Sequence, residues 1–178
     1  SERIYKCITN KSVHSVSFMG NGMAIEYAER LLTNEPKVDK YLHICLTEGK
    51  SLGKGYSLLT DSQNYFNIRF WQLCLLSLFP FLKFSKKLSS EIQAEIGLQL
   101  KNYTSLVHFT ELKIDSHQHI HMIPIVLNNL INLKDEYGLN VIRLPREYLF
   151  WYLPNLKYFL NYFRINMIKL LLLRFLIF

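Results

Sequence analysis

Apolar positions along the chain alternate between two spacings. In Val13–Met19 (V-H-S-V-S-F-M) they fall at every second position and are partly β-branched, which predicts a short strand broken by Gly20-Asn21-Gly22. From Met23 to Leu32 the residues Ala24, Tyr27, Ala28 and Leu31 recur at three- and four-residue steps, the stripe of an amphipathic helix that Asn34 and Pro36 bring to an end. Lys40–Leu46 (K-Y-L-H-I-C-L) is the next strand, closed by Thr47-Glu48-Gly49. Strand, helix, strand in this order is the grammar of a parallel α/β fold.

Residues Lys50–Asp61 are punctuated by Gly and Ser and read as a loop. Phe70–Leu82 carries no charge, yet it is too short to span a bilayer and Pro80 interrupts it, so it is expected to be a buried helix or a hydrophobic lid. Ser90, with Gln93 three residues on, has the form of a capping box. The helix it opens has Ile92, Ile96, Leu100 and Tyr103 as its inner stripe and ends near Val107. Glu111–Ser116 is a third strand. Pro124 suits the first turn of a further helix, with Leu127, Leu130, Ile131 and the stem of Lys134 on its apolar side and Gly138 at its C-cap. Asn140–Leu144 is a fourth strand. The expected fold class is therefore α/β with parallel strands: a β/α barrel of the NodB-like or TIM-like kind, partial or incomplete, with its chemistry at the carboxyl rim. Tyr148–Phe178 is dense in aromatic residues and leucine and is read as a helix whose packing partners lie further along a longer chain; Met167–Phe178 is too short and too charged for a standard membrane span.

The 178 residues suffice for one domain, and a hydrophobic share of 49% against 20% charged residues excludes a disordered chain. Net charge is +7, and from Asn140 onward six basic residues stand against one acid, which places +5 of it in the last part of the chain. Such a tail offers peripheral contact with an anionic membrane surface. No nucleic-acid-binding motif accompanies it, so no nucleic acid partner is expected. Cys7, Cys45 and Cys74 are odd in number and far apart, fitting neither a disulfide framework nor a Cys-based zinc site. A reducing, cytoplasmic compartment is the expectation, and a homodimer is left open.

The chemistry concentrates in Ile114–Met122 (I-D-S-H-Q-H-I-H-M). In an extended backbone Asp115, His117, His119 and His121 would share one face and present a carboxylate and three imidazoles, a metal-binding face in outline. Arg143 and Arg146 could meet sugar hydroxyls or a phosphate, Glu48 could fix its own turn, and Trp71 and Trp151 read as core aromatics. His14 and His108 are isolated and read as structural.

Three strings then carry a resemblance. L-H-I-C-L-T-E-G (Leu42–Gly49), I-D-S-H-Q-H-I-H-M (Ile114–Met122) and I-R-L-P-R-E (Ile142–Glu147) occur in the order and spacing of the YdjC-like carbohydrate deacetylases. The chain resembles that family from about Ile8 to Glu147, and its R-L-P-R-E ending is most similar to the branch associated with hopanoid biosynthesis. The resemblance implies a metal-dependent hydrolase that removes the acetyl group from an N-acetylated amino sugar, chitooligosaccharide-like or lipid-linked. It implies a divalent ion held by His43 and His117. Imidazole favours Zn2+ on softness grounds, whereas the family is commonly assigned Mg2+. Asp115 is expected either to orient an imidazole from behind or to cap the turn, and Arg143 and His121 to meet the substrate. The family's A-D-D-F-G motif, source of its metal-binding Asp and catalytic base, has no counterpart here. The catalytic residue is accordingly unassigned, and residues 1–178 are expected to form a single deacetylase-like domain that starts inside the helix after the first family strand and lacks the later strands. The alternative is a non-enzymatic, membrane-associated or partner-binding remnant.

Overall fold

The computed structural model describes residues 2–145 and Met167. Four parallel strands form one sheet in the order of the chain: β1 (Ser15–Met19), β2 (Asp39–Ile44), β3 (Lys113–Ser116) and β4 (Val141–Ile142). Helices α1 (Glu2–Thr9) and α2 (Ile25–Leu32) flank β1, α3 (Phe70–Ser77) and α4 (Lys83–Leu106) lie between β2 and β3, and α5 (Pro124–Asn132) and α6 (Lys134–Tyr137) precede β4. This is the expected α/β architecture, a partial β/α barrel with parallel strands.

Register divides the sheet into two unlike faces. Phe18 pairs with Leu42, and Leu42 with Ile114, so these apolar side chains point the same way and are buried together with Ile44 beneath the inner stripe of α4. Ile92, Ile96, Leu100 and Tyr103 make up that stripe, all fully buried. The residues between them in each strand, Ser17 on β1, His43 on β2 and Asp115 on β3, point to the opposite face and give it its polar character. Gly20 follows β1 at a close approach to α4. A Cβ there would come within 2.8 Å of the Gln99 Cβ and 2.9 Å of Leu42 Cδ1.

A long loop follows β2, and α4 holds it in a way the apolar periodicity does not announce. Glu91, Glu95 and Gln99, spaced at four-residue steps, are buried alongside the apolar stripe. Gln99 brackets Cys45, accepting from its N–H at 3.1 Å and donating to its carbonyl at 2.7 Å. The Glu95 carboxylate accepts from the N–H groups of Leu52 and Gly53, and that of Glu91 from Ser57, Leu58 and Leu59. Burial alone would push the Glu91 carboxyl up, but the hydrogen bonds from Ser57, Leu58 and Leu59 outweigh it and hold the group below its ordinary range.

Several expectations are corrected. The helix expected to open at Ser90 starts at Lys83, because Ser85 and Leu88 pack inward and carry the helical face two turns further back. Phe70–Leu82 is helical only over Phe70–Ser77 and is largely exposed: Leu73 alone in α3 is buried, with Phe70, Cys74 and Leu76 packed partly buried against the core, and Trp71 stands in solvent instead of in the interior. In α5 the buried residues are Ile125, Val126, Asn129 and Leu130, so the inner face is turned away from Ile131, which is exposed. Pro124 and the left-handed Gly138 (φ 64°) stand where expected, at the two ends of the α5–α6 pair. Tyr148–Phe178, Arg146 and Trp151 lie outside the described residues apart from Met167. No helix among the described residues is long and apolar enough to cross a membrane.

Candidate active site at the carboxyl rim

His43 and Asp115 are register partners on adjacent parallel strands, which is why residues far apart in sequence meet. His43 Nδ1 and Asp115 Oδ1 are 2.7 Å apart. With an ionised carboxylate opposite it, Nδ1 carries the proton, and the neutral ring's lone pair is left on Nε2. The other carboxylate oxygen accepts from the Ser17 hydroxyl at 2.8 Å and lies 3.7 Å from Arg143 Nη1. Burial pushes the Asp115 carboxyl up, but His43, Ser17 and Arg143 together hold it below the usual carboxylate range. Asp115 is thus an ionised, buried hub linking three strands and the start of the segment after β4.

Strand β3 ends at Ser116, and the histidines that follow do not continue it. His117–Met122 winds into a tight 3-10 segment in which Gln118 and His119 take left-handed backbone angles (φ 53° and 56°). The expected face of alternating Asp115, His117, His119 and His121 is therefore absent: a coil has replaced the extended backbone it needed. His117 turns toward β2, its ring centroid 5.9 Å from that of His43. His117 Nε2 is buried and lies 3.2 Å from Glu48 Oε1, within ion-pair range but out of line for a hydrogen bond. The Glu48 carbonyl meanwhile accepts from Asn21 Nδ2 and lies 3.3 Å from Cys45 Sγ, which fixes the turn after β2.

His121 goes elsewhere. Its Nε2 lies 2.8 Å from the Arg143 carbonyl, which can only accept, so Nε2 holds the proton and Nδ1 accepts from the Ser116 hydroxyl at 2.5 Å. Both nitrogens are occupied and the ring is buried. The expected contact of His121 with substrate gives way to a structural one, tying the end of β3 to the residue after β4. Burial lowers its pKa to about 4, so the ring is neutral near pH 7. Arg143, by contrast, has an exposed side chain at the mouth of the site.

Ser17 is the residue the sequence reading missed. Its only signal was the polar alternation of Ser15 and Ser17 against Val16 and Phe18. Although Ser17, Asp115 and His43 form a chain of hydrogen bonds, the serine donates to the carboxylate and not to the imidazole. That order lacks the base that would activate a serine nucleophile. Among the described residues, no group of three or more His, Cys, Asp and Glu side chains is placed to hold a metal ion.

A parallel sheet whose carboxyl rim carries two facing imidazoles, one backed by a buried carboxylate, belongs to the β/α-barrel class, in which that rim is the working end. Comparison with protein families makes the assignment particular. The model for the family described as YdjC-like protein matches residues 1–166, and the chain belongs to the YdjC-like family, with the carbohydrate deacetylase-like function this implies.

Proposed function

We propose that this protein removes the acetyl group from an N-acetylated amino sugar at the carboxyl rim, with a divalent ion held by His43 and His117. The observation that carries the reading is the approach of these two rings in a member of the YdjC-like family. Two imidazoles on one ion, each bound at about 2.1 Å, have centroids roughly 4.5–6.5 Å apart, and 5.9 Å falls inside that span. The donor set fits as well. Asp115 leaves the His43 lone pair on the far nitrogen, as in carboxylate–imidazole–metal relays, and a buried His117 nitrogen lacks an aligned hydrogen-bond partner. A divalent ion, when bound there, polarises the amide carbonyl and lowers the pKa of a water.

The protein's own residues orient and screen. His43, Ser17 and Arg143 keep Asp115 ionised, Asp115 fixes the His43 tautomer, and Glu48 lies against the His117 ring. Arg143 would donate to sugar hydroxyls, a role supported by the exposure of its side chain and the hold of His121 on its carbonyl. The test is calorimetric titration of the full chain with Zn2+ and Mg2+, paired with acetate release from N-acetylglucosamine oligomers. His43→Ala and His117→Ala should each abolish tight ion binding and any acetate release. Ion binding that survives both substitutions, or turnover confined to acyclic amides or phosphate esters, would overturn the proposal.

A further inference from the structure

The apolar apron formed by α3 and the turn into α4 remains unused by this chemistry. Trp71, Leu78 and Phe81 are each more than three-fifths exposed (63%, 62% and 69%), and Leu75, Phe79 and Phe84 are exposed beside them. Leu75 from α3 and Phe84 from α4 line the same depression, and the Phe79 and Phe81 rings meet edge to face at 6.2 Å in the turn between the two helices. Exposed aromatic surface of this extent on one side of a protein marks an interaction site. Its charge says with what. From Ser62 to Ser90 the chain contains Arg69, Lys83, Lys86 and Lys87 and no acid, and all four cations are exposed around the apolar residues.

An aromatic and leucine segment whose charged residues between Ser62 and Ser90 are all cations matches the interface of an anionic bilayer, where rings enter the headgroup and acyl boundary and lysines meet phosphates. The contact inferred is with the membrane surface, because the apron is a short helix and turn with cations among its apolar residues. Position supports this. Gln99 of α4 is level with Cys45, just past the carboxyl end of β2, and Ser85 lies about 21 Å further toward the helix amino end. The amino end of α4 therefore continues on the side from which the loop after β2 arrives, the side of the His43 rim. We infer that the Phe70–Phe84 apron docks this protein on an anionic lipid surface, a role independent of the deacetylase reading.

Sedimentation of the full chain with vesicles of phosphatidylglycerol and phosphatidylcholine, against vesicles of phosphatidylcholine alone, tests it. At least tenfold stronger partitioning onto the anionic vesicles is expected, falling about fivefold for each of Lys83→Gln and Lys86→Gln. Trp71→Ser combined with Phe81→Ser should remove binding; both side chains are exposed, so the fold should survive, as circular dichroism would show. In a Trp151→Phe background, Trp71 fluorescence should be quenched by brominated lipid chains. Binding unaffected by the apron substitutions would place the contact elsewhere and overturn the inference. So would an unquenched Trp71, or an apron buried in a concentration-dependent dimer that ignores vesicles.

Discussion

Removing the Glu91 carboxylate should loosen the loop that follows β2 by an amount the structure allows to be worked out. The group accepts four hydrogen bonds at 3.0 Å, from the N–H groups of Ser57, Leu58 and Leu59 and from the Ser57 hydroxyl. In Glu91→Ala the Ser57 groups, at the surface, regain water and contribute little. The Leu59 N–H is in a fully buried residue and keeps its desolvation penalty, about 1–3 kcal/mol, with Leu58 intermediate. A total of about 3 kcal/mol follows, or a fall in Tm of about 6–12 °C for a chain of this size. Thermal melts followed by circular dichroism measure it, and hydrogen exchange should show faster opening of residues 57–59. The sign with pH is fixed by the depressed pKa. Glu91 titrates lower in the folded chain than its unfolded value of about 4.3, so its stabilisation is full above that value and is lost as pH falls through the folded pKa. The gap between wild type and Glu91→Gln should stay constant from about pH 7 to 5 and narrow below about 4. A Glu91→Ala melt within about 2 °C of wild type, or a Glu91→Gln gap that widens in acid, would refute the reasoning.

Three further outcomes follow from the same structure. His121 titrates near 4 when folded and about 6.5 when unfolded, so its contribution is full above about 6.5 and declines toward 4, by about 3 kcal/mol in all; melts between pH 7 and 4.5 should show the fall, and His121→Asn should flatten it. Asp115→Asn should weaken divalent-ion binding by about 10–100-fold in calorimetry while leaving far-ultraviolet circular dichroism unchanged, because the amide no longer fixes the His43 tautomer. Gly20→Ala should cost about 1–3 kcal/mol in urea unfolding, since the added methyl meets Gln99 and Leu42 below 3.0 Å; a neutral effect would mean α4 can shift away from β1.

How much of this was legible in the sequence depended on whether the signal was local. The four strands of the described residues stand where the sequence reading put them, and the stripe of Ile92, Ile96, Leu100 and Tyr103 is the buried face of α4. Pro124 and Gly138 marked helix ends because their backbone constraints act at their own positions. What failed was inference that needed a backbone state or a partner. The H-x-H-x-H alternation implied an extended chain, but two residues with positive φ coil it, and that sends His121 into the protein and His117 toward His43. Uncharged Phe70–Leu82 suggested burial, yet a segment's hydrophobicity does not say whether a neighbour exists to cover it.

The polar residues along α4 show why local reading stops where it does. Glu91, Glu95 and Gln99 obey the same four-residue step as the apolar stripe, and on a wheel they could as well belong to a solvated edge. What pulls them inward is the loop after β2, in which the N–H groups of Leu52, Gly53 and Ser57 to Leu59 have no backbone acceptor and must find another when buried. Two carboxylates meet that demand, and Gln99 continues the line to Cys45, two residues past His43. Loop, α4 and the imidazole pair are thus one connected assembly. A substitution at Glu95, remote from the site in sequence, should therefore be felt at His43 through Gln99, to which Glu95 is bonded at 2.9 Å. Glu95→Ala should shift the His43 ring resonances in NMR, whereas Glu35→Ala, on the exposed loop before β2, should leave them in place.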